Sequence, residues 1–205
     1  MNKKQCILLL QGSFNPVTLA HVNVFESAYM YLSTIGYDIT ERLIIPTSDK
    51  YEWKTLESNK HRIEMLHKAV DGTDIIVSDM ETKQSQWIRT GEVMQLFKKQ
   101  YPDKEILYLC GSDKITELTK WDNPKEAVEI LKLSCTIVCI GRDSFKFSDE
   151  LLESLGLDEK FVRIPVTMSN LSSTIVRDNI KDETLMKKYL HPCVLNYIVK
   201  HSLYC

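Results

Sequence analysis

Two groups of residues in this chain have the types and spacing to do chemistry on phosphates. The first is Gly12, Ser13, Phe14, Asn15, Pro16, Thr18 and His21. Cys6–Leu10 before it reads as an apolar strand, Gly12 as a tight turn, and the residues from Thr18 as the opening of a helix. Thr18 and His21 are three apart, which puts both side chains on one face of a first helical turn. The leading N–H groups of a helix lack intrahelical partners and lie at the positive end of its dipole, so they attract phosphate. The pattern therefore predicts a phosphate cradle with an imidazole beside it.

The second group is Ser172, Ser173, Thr174 and Arg177. Three hydroxyl residues ahead of an apolar-periodic stretch are an N-cap signal. Arg177 falls one turn into that helix, facing back toward its start. Hydroxyls, leading N–H groups and a guanidinium at one helix end make a second anion site. Taken alone, the group also reads as a capped helix with an exposed arginine. The anion-site reading gains weight because one parallel sheet can bring both helix starts to one ligand.

The elements that must position these groups alternate along the chain. Strands are predicted at Cys6–Leu10, Arg42–Pro46, Asp74–Ser78, Glu105–Cys110, Ser134–Ile140 and Phe161–Ile164. Helices are predicted at Leu19–Leu32, Asn59–Val70, Trp87–Gln100, Asn123–Leu131, Ser148–Leu155, Glu183–Tyr189 and Pro192–His201, with a short helical piece after Asp113. Strand–helix alternation is the pattern of a doubly wound parallel α/β sheet. Without repeats or linkers, residues 1–205 read as one domain whose C-terminal helices begin at about 171. Ligands of such sheets bind outside the carboxyl ends of the strands. Gly12-Ser13, the loop after Pro46, Met80-Glu81, Gly111–Asp113, Gly141-Arg142 and Ser172–Arg177 are all expected there. The loop after Pro46 mixes Lys50, Tyr51, Trp53 and Lys54, and reads either as ligand contacts or as a solvated connection anchored by its tryptophan.

Bulk properties narrow the function classes. With 26 basic and 28 acidic residues the formal charge is −2, without the basic excess of a nucleic-acid binder. The six cysteines form no C-x-x-C pair, and are expected to be free buried thiols of a reducing compartment. Lys3 and Lys4 precede an apolar run too short for a secretory leader. No stretch approaches the roughly 20 apolar residues of a membrane span. A cytoplasmic or nuclear protein is expected, with no nucleic-acid or membrane partner and the oligomeric state left open.

Gly12-Ser13-Phe14-Asn15-Pro16-x-Thr18-x-x-His21 resembles the signature of nucleotidyltransferases of the H-x-G-H type, and Leu171-Ser172-Ser173-Thr174-x-x-Arg177 resembles their I-S-S-T-x-x-R motif. Together they resemble the eukaryotic nicotinamide/nicotinate mononucleotide adenylyltransferases. The likeness extends over His61-Arg62, Leu109–Asp113, Trp121, Arg142 and the stretch Tyr197–Tyr204. It implies a Rossmann-like nucleotidyltransferase fold and a reaction in which the mononucleotide 5′-phosphate attacks the α-phosphorus of ATP. The products would be NAD, or its deamido form, and pyrophosphate. Such a reaction needs positioning and charge stabilisation more than a strong base.

Carried over residue by residue, the resemblance implies His21 and Arg177 as catalytic charge stabilisers. Gly12, Thr18, Gly111, Asp113, Arg142, Ser172, Ser173 and Thr174 would serve the ATP side with them. Ser13, Phe14, Lys54, Met80 and Trp121 would serve the mononucleotide, with Trp121 stacked on its pyridine ring. Magnesium would ride on the triphosphate, with no protein metal site. The chain departs from the family at Met80, where relatives place a second stacking tryptophan, and at Trp53, where they place a lysine that Lys50 or Lys54 could replace. The choice between nicotinamide and nicotinate substrates stays open at this point. Two other readings remain beside it: an adenylyltransferase for another phosphorylated metabolite, and a nucleotide-binding, chaperone-like protein.

Overall fold

Cys6–Leu10 is buried along its whole length, as a strand covered on both faces must be. It forms the body of β1 (Gln5–Gly12), and the chain lays further strands on either side of it. The computed structural model describes residues 5–120, 123–142, 148–168 and 172–205. Six strands form one sheet in the order β3-β2-β1-β4-β5-β6. They are β1, β2 (Asp38–Pro46), β3 (Ile75–Val77), β4 (Glu105–Gly111), β5 (Thr136–Arg142) and β6 (Phe161–Met168). β1 pairs with β4 in parallel, Leu8 opposite Leu107; β4 pairs with β5 and β5 with β6 in the same sense. The order grows outward from β1 to β3, then reverses to β4, which is the doubly wound arrangement.

Helices supply the crossovers. α1 (Leu19–Thr34) buries Phe25, Ala28 and Leu32 at helical spacing. α2 (Asn59–Val70) buries Arg62, Met65, Leu66 and Val70, and its N-cap Ser58 accepts from the His61 amide. α3 (Thr90–Gln100) starts three residues later than the predicted Trp87. The reason is a polar closure: the Arg89 amide donates to Glu92 Oε2 at 2.8 Å, stopping the helix at its first turn. α3 packs closely on α5 (Pro124–Ser134), since a Cβ on Gly91 would lie 2.8 Å from Ile130 Cγ2. Ser134, predicted as strand, closes α5 by donating its hydroxyl to the Ile130 carbonyl, and β5 begins two residues later.

The remaining helices are α4 (Ser112–Leu118), α6 (Asp149–Leu155), α7 (Ser173–Asp178), α8 (Glu183–Tyr189) and α9 (Pro192–His201). The chain folds as two compact units. One draws on described residues within 1–10, 25–42 and 88–170, the other on 11–24, 43–87 and 171–205. In the second unit α9 packs on α2. Cys6, Cys110, Cys135 and Cys139 are buried and outside any disulfide, as expected, but Cys193 and Cys205 are exposed. No helix among the described residues is long and apolar enough to cross a membrane.

Candidate active site

The second unit gathers most of the predicted site around the turn that follows β1. Phe14 takes a left-handed backbone, φ 45°, and folds its ring back over Gly12. A Cβ on Gly12 would lie 3.1 Å from Phe14 Cζ. Gly12, expected as a tight turn on the ATP side, is therefore also needed by the protein's own packing. The Phe14 ring meets the His21 imidazole edge-on, with centroids 5.1 Å apart.

Thr18 lies just before α1, not within it, and is 2% exposed. Its backbone N–H donates to His21 Nδ1 at 3.0 Å, and its hydroxyl lies 2.8 Å from the same nitrogen. Nδ1 accepts, so the network assigns the ring proton to Nε2. Thr18 thus presents His21 as a hydrogen-bond donor.

The two motifs meet within this unit. Ser173 Oγ donates to the Pro16 carbonyl at 2.8 Å, and Arg177 Nη1 donates to the Asn15 carbonyl at 2.7 Å. Ser172 caps α7 by accepting from the Ile175 amide. Thr174 is exposed and accepts from Arg177 Nη2. Ser172 and Ser173 are thus used as cap and tie, whereas the half-buried guanidinium and the exposed Thr174 hydroxyl keep a face to solvent.

Three residues that the sequence reading named without giving them a role of their own hold the loops. Arg62 is fully buried and donates to the carbonyls of Glu57, Ser13 and Thr47 and to Asn59 Oδ1, at 2.6–2.8 Å. Burial depresses its pKa, opposed by Asp49, Tyr204, Glu81 and Glu57. Glu81, equally buried, accepts from Gln11 Nε2 at 2.6 Å and from the Ser48 amide at 3.0 Å. Burial raises its pKa, against the pull of those bonds and of Arg62. Asn15 accepts from Glu57 N–H and Tyr204 O–H on Oδ1 and donates to the Thr55 carbonyl. The signal for these three was only their place inside motifs.

The loop after β2 joins the cradle at both ends, through Thr47 N–H to the Gly12 carbonyl and through Thr55 and Glu57 to Asn15. Between them Tyr51, Trp53 and Trp87 form a three-ring cluster with centroids 5.1–5.2 Å apart. Trp53 is 70% exposed, so it does not anchor the loop in a core. Lys54 is exposed, and Lys50 Nζ donates to the Gln84 carbonyl. Met80 is half-buried, and its carbonyl accepts from the Gln84 side chain.

Gly111 and Asp113 belong to the other unit. Gly111 ends β4 and caps α4, and Asp113 lies in the first turn of that helix. Arg142 ends β5, but its side chain lies outside the described residues, as do Trp121 and Leu171.

Known proteins resemble this chain over nearly its whole length. The cytidylyltransferase-like family model matches residues 9–179. A probable nicotinate-nucleotide adenylyltransferase of Lachnoclostridium phytofermentans is 30% identical, the match covering 96% of this chain and 97% of that one. The nicotinamide/nicotinic acid mononucleotide adenylyltransferase of Arabidopsis thaliana is also 30% identical, over 98% of this chain and 91% of its own. Among solved structures, the Plasmodium falciparum nicotinic acid mononucleotide adenylyltransferase complexed with NaAD is 26% identical, with a TM-score of 0.79 over 98% of this chain and 97% of that one. A sheet of this order, a glycine turn bonded to a serine-capped helix, and likeness over nearly the whole length lead to one assignment: the chain belongs to the cytidylyltransferase-like family.

Proposed function

We propose that the protein transfers the adenylyl group of ATP to nicotinamide or nicotinate mononucleotide, forming NAD or its deamido form and pyrophosphate. The observation that carries the reading is the seating of Arg177 on the carbonyl of Asn15, whose neighbour Phe14 packs on His21, within a chain similar over nearly its full length to enzymes named for this reaction.

A mononucleotide phosphate oxygen forms the new bond to the α-phosphorus as the bond to the pyrophosphate oxygen breaks. The attacking phosphate is already ionised near neutral pH, so the protein's contribution is alignment and stabilisation of developing charge. His21 suits this because Thr18 holds it as an Nε2–H donor. Arg177 suits it because two of its N–H groups are seated on Asn15 and Thr174, which fixes the plane of the guanidinium. Donors held in place before reaction do not reorganise during it, which is the source of their effect on rate. Gly111, Asp113, Arg142, Ser13, Lys54, Met80 and Trp121 take the substrate-contact roles that the family resemblance implies, whereas the Phe14 ring, expected to share them, is buried against Gly12 and His21.

Among the described residues no three His, Cys, Asp or Glu side chains cluster to hold a metal. The donors of the cradle match phosphate oxygens, and magnesium favours phosphate oxygens and water over a protein cage. Magnesium would therefore enter on the triphosphate, where it would supply positive charge to the phosphate oxygens.

The test is to incubate purified protein with ATP, magnesium and each mononucleotide in turn, with phosphopantetheine as a control acceptor. Dinucleotide from a pyridine mononucleotide supports the reading, and its preference between the two answers what Met80 and Trp53 leave open. Turnover with the control acceptor alone would move the function to another metabolite.

A further inference from the structure

Tyr204 lies three residues beyond α9, far in sequence from the cradle, yet its hydroxyl donates to Asn15 Oδ1 at 3.0 Å. Three features show that this bond is built into the fold. Leu203 is buried, and its amide donates to the Ile198 carbonyl, pinning the segment to α9. Ser202 and Tyr204 both take left-handed backbone angles, φ 51° and 64°, which side chains other than glycine adopt at a cost. Burial also pushes the Tyr204 phenol pKa up, against the influence of Arg62 and Arg177, so the hydroxyl stays a neutral donor.

The far end of this bond is the residue on which the site turns. Asn15 is 4% exposed, and both lone pairs of its Oδ1 are used, by Tyr204 and by the Glu57 amide. Its backbone carbonyl is the seat of Arg177. The residue before it, Phe14, is left-handed and packs on His21. A rotation of the Asn15 peptide would therefore shift the guanidinium directly and the imidazole through Phe14.

We propose that Tyr204 is a positioning residue for the adenylyl transfer: its hydroxyl fixes the Asn15 side chain and, through it, the carbonyl on which Arg177 is seated. The proposal rests on the adenylyltransferase reading. Because the Tyr204 hydroxyl is spent on Asn15, its loss is expected to act on turnover and not on binding.

The test is Tyr204→Phe, alone and combined with Arg177→Lys. The ring and its packing are kept, so the thermal midpoint stays within a few degrees of wild type. The single variant lowers kcat about three- to tenfold, the scale of one lost hydrogen bond, with KM for both substrates unchanged within about twofold. In the Arg177→Lys background the same change has no further effect on kcat, because the group it positions is gone. Wild-type kcat in the single variant, or the same fold-loss in both backgrounds, overturns the proposal. Hydrogen exchange across residues 173–178 gives a readout independent of catalysis. Faster exchange in Tyr204→Phe supports the link, and unchanged exchange overturns it even if the wild type forms no dinucleotide and the adenylyltransferase reading fails.

Discussion

The backbone amide of Thr18 donates to Nδ1 of His21 at 3.0 Å, so the imidazole is held as a donor through Nε2 before any substrate arrives. A residue held this way serves charge that develops on phosphate oxygens, not abstraction of a proton. His21→Ala should lower kcat by about two orders of magnitude or more, the scale of one preorganised donor. Thr18→Val removes the hydroxyl but keeps the amide bond, and should cost only about three- to tenfold. Steady-state kinetics of both variants check the ordering, and a near-normal rate for His21→Ala removes it from the mechanism.

Gly12 and Phe14 occupy the same space. Gly12→Ala places a methyl 3.1 Å from the Phe14 ring, in a pocket with no exposed side for Phe14, which is 1% accessible. The ring, which also packs on His21, must shift. Overpacking of this kind costs about 1–3 kcal/mol, and turnover should fall at least about tenfold because the imidazole shares the strain. Denaturant unfolding and kinetics on the same preparation separate the two effects.

Arg62 holds three backbone carbonyls and Asn59 from a fully buried position. Arg62→Met removes four bonds and leaves buried acceptors without donors, so stability should fall by about 3 kcal/mol or more. Arg62→Lys should restore little, since an ammonium cannot reproduce the fork that spans Ser13, Thr47 and Glu57. Equilibrium urea unfolding measures both.

Glu81 sets a pH dependence whose sign is opposite to that of an ordinary paired carboxylate. Burial raises its pKa above 4.5 in the folded protein. Between 4.5 and the raised folded value the native state holds a proton that the unfolded chain releases, so this group's contribution to stability falls as pH rises. Glu81→Gln removes that component. It should also cost about 1–3 kcal/mol, since an amide NH2 would face the donors of Gln11 or Ser48. Unfolding midpoints of both proteins across this window give the comparison.

Local pattern made the framework legible. Cys6–Leu10, Glu105–Cys110 and the helix cap at Ser172 announce themselves by composition and spacing. α3 began late because Glu92 reaches back to the Arg89 amide, a closure that apolar periodicity does not register. The two motifs could be paired from sequence, but their joints could not, since Ser173–Pro16 and Arg177–Asn15 are contacts to backbone carbonyls, which carry no residue-type signal. For the same reason Arg62 was visible only as part of a resembling pair in a helix start, although it ties two loops together. Tyr204 was visible only as part of a resembling stretch; its bond to Asn15 depends on left-handed residues that nothing in its own sequence demands.

The central claim is displacement at the α-phosphorus of ATP. Incubating the protein and magnesium with α-phosphorus-labelled ATP and each pyridine mononucleotide, then separating the products, tests it most directly. The account predicts label in the dinucleotide, with one unlabelled pyrophosphate released per dinucleotide formed. Label left in ADP, or no dinucleotide with either mononucleotide, would contradict it.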